Sequence, residues 1–129
     1  MKGEVRWTEE DGYVGTTSKG KVFGIYNDTS PSPMEMVLHS HAACSLIDVI
    51  DGLKDRSDNV ECATVEIASV RSDERPRVFT SVNMNYIVKG DVPEKLVRRL
   101  IEQSHEKYCR VGIMITRSGA TLSWTLEMQ

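Results

Sequence analysis

Cysteine is scarce: the 129 residues hold three, Cys44, Cys62 and Cys109. The count is odd and no CxxC pair occurs, which excludes a secreted disulfide scaffold and a zinc knuckle. Aromatic residues make up only 6%. No apolar run approaches the ~20 residues that span a bilayer. The opening MKGEVRWTEEDG lacks the apolar core of a signal peptide, so the expected location is cytoplasmic, without a membrane partner. An excess of one charge is also missing. Sixteen Lys and Arg stand against nineteen Asp and Glu, a net of −3, with none of the basic bias that nucleic-acid binding calls for. No GxGxxG or P-loop pattern occurs, so nothing points to a nucleotide.

Apolar residues at 40% and charged residues at 27% fit an ordinary globular chain. At this length roughly two thirds of the unfolded surface can be buried, and one domain over 1–129 is expected. Residues 2–8 and 12–26 read as two or three short strands punctuated by glycine. Asn27–Pro33 is turn chemistry leading into a helix, with Ser32 as N-cap, Pro33 at the first helical position and Glu35 in the first turn. That helix runs over about 33–54, because Leu38, Ala42, Leu46, Val49, Ile50 and Leu53 recur at helical spacing.

Strands follow over 60–70 and 77–88. In the first, Ala63, Val65 and Ile67 share a face; in the second, Val78, Thr80, Val82, Met84, Tyr86 and Val88 do. A second helix spans about 93–108 with Leu96, Val97, Leu100 and Ile101 on one side. Residues 110–117 fit helix or strand, and 120–128 read as a closing strand. This order gives an α+β class with a mostly antiparallel sheet, a long central helix and a second helix.

At about 100° per residue, Val37, His41, Asp48 and Asp51 fall within roughly 60° of Cys44 around the first helix, and the aliphatic stripe lies about 120–200° away. Cys44 therefore sits on a more polar face than a packing cysteine ordinarily would. His39 and His41 point about 160° apart and do not share a metal ion. Cys109 lies between Lys107 and Arg110, whose charges favour a thiolate, whereas the end of the second helix opposes one. Cys109 thus reads as better suited to resolve an oxidised partner than to attack first. Cys62, near Asp58 and Glu61, reads as a structural thiol.

Ser32-Pro33-Met34-Glu35 through His41-Ala42-Ala43-Cys44 places a proline, a nearby glutamate, an apolar helical run and a small pair before a cysteine. This resembles the helix-opening motif of the OsmC/Ohr family, the osmotically inducible protein C and organic hydroperoxide resistance proteins. Ser104-His105-Glu106-Lys107-Tyr108-Cys109 is similar to the family's second cysteine motif. Arg75-Pro76-Arg77-Val78-Phe79-Thr80 and the closing strand resemble its YhfA-type branch.

The resemblance implies an OsmC-like fold and an intertwined homodimer. It also implies a thiol peroxidase acting on organic hydroperoxides, with no metal, flavin or haem cofactor. By that analogy Cys44 is the peroxidatic thiol and Cys109 resolves it as a disulfide. An external thiol such as a dihydrolipoyl group is the reductant. His41 and Glu35 are the further site candidates. The family's activating arginine has no counterpart in Glu10–Gly15, and its glutamate position is Met34, one residue before Glu35. That leaves Arg6, Arg71, Arg77, Arg110 or His41 as sources of charge for Cys44. A second class stays open: a non-catalytic protein on the same scaffold that binds an apolar or thiol-bearing ligand at the dimer interface.

Overall fold

Alternation and turn chemistry at the N-terminus produce three short strands: β1 (Gly3–Thr8), β2 (Gly12–Thr17) and β3 (Val22–Ile25). In the computed structural model, which describes residues 1–129, they form an antiparallel meander in the order β1-β2-β3. Thr8 Oγ1 accepts from the Asp11 N–H and Thr17 Oγ1 from the Lys21 N–H, which closes the two turns. Helix α1 (Pro33–Leu53) then opens on a reciprocal cap. Ser32 Oγ accepts from the Glu35 N–H at 3.2 Å, and Glu35 Oε1 accepts from the Ser32 N–H at 3.1 Å. This capping box satisfies two backbone donors that a helix start leaves open. Met1–Val37 is one compact unit, and Leu38–Gln129 is the second.

In the second unit, α1 continues and a 3₁₀ turn over Lys54–Asn59 leads to β4 (Val60–Arg71) and β5 (Phe79–Gly90). Helix α2 (Glu94–Gln103), a π-helical turn over Ser104–Tyr108, helix α3 (Arg110–Arg117) and β6 (Thr121–Met128) follow. The sheet order is β4-β5-β6. β4 pairs with β5 antiparallel, while β6 returns parallel to β5. A parallel return needs a crossover, and the α2–α3 segment supplies it. The α+β class holds, and three of the four strand pairings are antiparallel. Residues 110–117 resolve as helix.

The core of this unit lies on one face of β5. Val82, Met84, Tyr86 and Val88 are buried, together with Val49 and Leu53 of α1 and Val97 and Ile101 of α2. One expectation fails at the start of β5. Val78 and Thr80 do not continue the inward row; Val78 is 48% exposed while Phe79 is buried. The register shifts between Val70 and Arg71, so that Val70 faces Ser81 and Arg71 faces Phe79. An extra residue in one strand reverses the phase of alternation, and Phe79 turns inward.

Gly90 ends β5 with φ at +145°. A Cβ there would run into the Asn59 carbonyl and come within 2.8 Å of Val60 Cα, backbone atoms that cannot rotate aside. Gly90→Ala is expected to lower stability by about 2–4 kcal/mol, from the strained φ together with the clash. Urea denaturation measures this; an unchanged midpoint would mean that the strand end relaxes freely.

Candidate functional site

Helix α1 carries Cys44 and, one turn later, Asp48 on the same side. Both are half-buried. The third member arrives from the far end of the chain. After α2 the helix widens into the π turn, where the Cys109 N–H donates to the Ser104 carbonyl at 2.8 Å. The chain then breaks and restarts as α3. Cys109 is the N-cap of α3: its Sγ accepts from the Gly112 N–H at 3.4 Å. The sulfurs of Cys44 and Cys109 and a carboxylate oxygen of Asp48 all lie within 4.8 Å of one another.

Cys109 is fully buried. Burial pushes its thiol up to about 12; the Gly112 N–H acts against this shift, and the neighbouring Cys44 and Asp48 add to it. The expected sign of the local charges is therefore corrected twice. Lys107 and Arg110 are exposed and do not offset desolvation. The helix end that Cys109 meets is also an N-terminus, not only the C-terminal end of the preceding helix. The outcome is a neutral thiol held against a more accessible one.

His41 lies one turn before Cys44, 0% exposed, and neither ring nitrogen has a hydrogen-bond partner. Burial lowers its pKa, so it is an uncharged imidazole at neutral pH and not the cation expected to assist Cys44. Its carbonyl accepts from the Cys109 thiol at 3.8 Å. A Cβ on Gly112 would press on His41 Nε2 and come within 3.1 Å of Cys109 Sγ. The absence of a side chain at 112 is what lets the ring and the sulfur share this space.

Behind the thiols lies a chain of polar groups that sequence reasoning did not find. Ser104 Oγ is 2.9 Å from Asp48 Oδ2 and 3.0 Å from Ser45 Oγ. Ser45 Oγ is 2.5 Å from Tyr86 Oη, which is 2.8 Å from His105 Nε2. Each hydroxyl has one proton, and a carboxylate only accepts. The Ser104 hydroxyl is the donor toward both Asp48 Oδ2 and Ser45 Oγ, and either oxygen of the Ser45–Tyr86 contact can donate. Met84 Sδ, 3.6 Å from Tyr86 Oη, is the weaker acceptor for the tyrosine proton. Burial raises the Tyr86 pKa well above its ordinary value, and burial together with nearby His41 lowers that of His105 to about 4. Trp124 closes this region, with ring centres 6.2 Å from Tyr86 and 6.5 Å from His105.

The structure thus brings Cys44, Cys109 and His41 together. Glu35 is exposed and engaged in the cap of α1. Cys62 is exposed on β4, 3.9 Å from Thr64 Oγ1. His39 is exposed while His41 is buried, as their opposite helix faces require. Arg71 and Arg77 direct their Nε–H groups to carbonyls of their own hairpin, those of Arg77 and Ser72 respectively. Arg110 lines a groove of about 560 Å³ with Asp48, Leu96, Arg99, Leu100 and Tyr108. Ser104 and His105 stand inside the second cysteine motif, but only the π turn reveals which way they face. Tyr86 reads from sequence as an ordinary core residue.

The family model for OsmC-like protein matches residues 26–125. Protein YhfA of Escherichia coli (strain K12) is 40% identical over 123 residues, covering 92% of this chain and 91% of that protein. The crystal structure of an OsmC like protein from Mycoplasma pneumoniae superimposes with a TM-score of 0.79 at 10% identity, covering 98% of this chain and 95% of the other. The organic hydroperoxide resistance protein OhrB of Bacillus subtilis gives 0.60 at 15% identity, covering 98% of each chain.

The lowered pKa of His105 has a consequence for stability. The folded state binds fewer protons than the unfolded state between the ordinary histidine value of ~6.5 and about 4, so stability falls as pH drops through that window. His41 acts in the same direction. Urea midpoints measured from pH 7 to 4 are expected to fall less steeply in His105→Gln than in the parent; identical slopes would refute a half-buried, neutral His105.

Proposed function

The chain belongs to the OsmC-like protein family, and from that premise we propose that it is a cysteine-based thiol peroxidase that reduces organic hydroperoxides. The observation that carries this reading is the meeting of two free thiols, Cys44 half-buried and Cys109 fully buried, with sulfurs no more than 4.8 Å apart. A disulfide at ~2.05 Å asks these sulfurs to close by less than about 3 Å.

In the proposed cycle the Cys44 thiolate attacks a peroxide oxygen. The O–O bond breaks, Cys44 becomes a sulfenic acid, and the alkoxide leaves as alcohol after taking a proton. Cys109 then attacks the Cys44 sulfur. An S–S bond forms, the sulfenic oxygen leaves as water, and the Cys109 proton goes with it. An external dithiol of the dihydrolipoyl class reduces the disulfide and is itself oxidised. The high pKa of Cys109 fits the second step, because that thiol stays protonated until a sulfenic acid is beside it. His41, neutral and unpartnered, is the residue we assign to take up a thiol proton. Arg110, on the groove that Asp48 also lines, is the cation of choice for the Cys44 thiolate.

The groove supports an organic rather than a purely inorganic peroxide, since Leu96, Leu100 and Tyr108 form part of its wall. Exposed Val5, Trp7, Val22 and Tyr26 on and beside the β1–β3 meander support a homodimer, because apolar surface of this kind marks association sites. No helix is long and apolar enough to cross a membrane, and a cytoplasmic location is part of the proposal. The same groove favours a second reading, a non-catalytic protein that holds an apolar or thiol-bearing ligand there.

Oxidation of the reduced protein by cumene hydroperoxide separates the readings. Cys44→Ser is expected to reduce hydroperoxide consumption to background. Cys109→Ser should retain one attack per chain without turnover, and Cys62→Ser should match the parent. Peptide mapping should find a Cys44–Cys109 disulfide formed faster with cumene hydroperoxide than with hydrogen peroxide. Full turnover by Cys44→Ser, or slow oxidation spread over all three cysteines, would discard the peroxidase reading in favour of ligand binding.

A further inference from the structure

The thiol pair has a third neighbour that the peroxidase cycle does not use. Asp48 stands one turn from Cys44 on α1, with a carboxylate oxygen within 4.8 Å of both sulfurs. Two sulfurs and a carboxylate oxygen, converging from two separate helices, form a donor set with a definite preference. Magnesium and calcium take oxygen ligands throughout, whereas paired thiolates select zinc and similar thiophilic ions. We propose that Cys44, Asp48 and Cys109 form a binding site for a zinc-type divalent cation, with the fourth coordination position beside His41.

Several features beyond the donor list support this assignment. Each of two donors has an outer partner of the kind that orients metal ligands. Ser104 Oγ is 2.9 Å from Asp48 Oδ2, and the Gly112 N–H donates to Cys109 Sγ at 3.4 Å. His41 supplies an independent sign. It is 0% exposed with both ring nitrogens unpartnered, although buried polar groups are nearly always satisfied. Its Nε2 shares with Cys109 Sγ the space left open at Gly112. An imidazole there serves as the acceptor for a metal-bound water. Tetrahedral zinc, with Zn–S near ~2.3 Å, sets two sulfurs about 3.8 Å apart. From within 4.8 Å that geometry takes only about an ångström of side-chain movement.

Binding exchanges protons for metal. Two thiols, one carboxylate and Zn²⁺ give a bis-thiolate complex and release two protons, so affinity rises with pH. The same sulfurs cannot be a disulfide and metal ligands together. Metal occupancy and oxidation of the pair are therefore mutually exclusive, and zinc holds the reduced form. This inference needs only the reduced thiols and the carboxylate, and it stands whether or not the protein turns over hydroperoxides.

Anaerobic titration of the reduced full-length protein with Co²⁺ tests the site, because thiolate-to-cobalt charge transfer reports sulfur ligation directly. One equivalent per chain is expected, with the absorption lost on adding Zn²⁺. Cys44→Ser and Cys109→Ser should each roughly halve the charge-transfer intensity and weaken binding at least 100-fold. Asp48→Asn should weaken it about 10–100-fold, within the range seen when a metal's ligand shell is disturbed, and Cys62→Ser should leave it unchanged. A measurement on the unmutated chain accompanies these. Zn²⁺ should slow iodoacetamide alkylation of Cys44 and Cys109 but not of Cys62. Absence of charge transfer in the parent, full intensity in Cys44→Ser, or equal alkylation of Cys44 with and without Zn²⁺ would each overturn the proposal. None of these readouts uses a hydroperoxide, so they fail or succeed apart from the peroxidase assay.

Discussion

A file of buried and half-buried hydrogen bonds, from His105 through Tyr86, Ser45 and Ser104 to Asp48, joins the π turn, β5 and α1. Groups of this kind are costly to bury singly and stabilising when every proton is used, so the file locks these three elements in one arrangement. The file ends on Asp48, which holds the carboxylate beside Cys44 and leaves it in contact with the groove. Truncating Ser104 would break the file in the middle and leave both Ser45 and Asp48 short of a partner. The positioning of the thiol pair thus depends on residues outside the pair.

The π turn is the local device that makes this possible. A regular continuation of α2 would keep the 3.6-residue phase, and Ser104 and His105 would be carried round with it. One widened turn shifts the register, buries Ser104 fully and ends the helix at Tyr108. Cys109 is then free to cap a new helix. The two opposing influences on its thiol are unequal. Desolvation raises its pKa to about 12 in spite of the donor from Gly112, because a single weak N–H···S contact replaces little of the hydration lost. The same desolvation leaves His41 and His105 uncharged. Positive charge in this region lies on the groove, at Arg99 and Arg110.

Helices and strands were legible wherever the period was unbroken. The helical spacing of Leu38, Ala42, Val49 and Leu53 places α1 within a residue of its end, and Ser32 with Glu35 marks its beginning. The alternation of Ala63, Val65 and Ile67 identifies the half-buried face of β4. Where a bulge interrupts the ladder, at Phe79, the same alternation misassigns Val78 and Thr80. Period-2 reasoning has no means of seeing an added residue. Cys44 lies off the aliphatic stripe and is half-buried. That stripe, however, is bordered by a polar strip, His41 and Ser45, both fully buried. A polar residue near an apolar face looks solvent-directed until its partners on β5 and the π turn are known.

By itself the sequence determined the class of the fold and the extent of its long helix. These follow from local rules: side-chain periodicity, capping chemistry and residue type act over a turn or a pleat. Only the tertiary structure decided that β6 runs parallel to β5, that Cys109 caps a third helix, and that Cys109, Cys44 and Asp48 share one small volume. It also decided which histidines are neutral and which thiol is held protonated. Those properties come from burial and from contacts between residues far apart in the chain, and water exclusion belongs to the packed site as a whole, not to any residue within it.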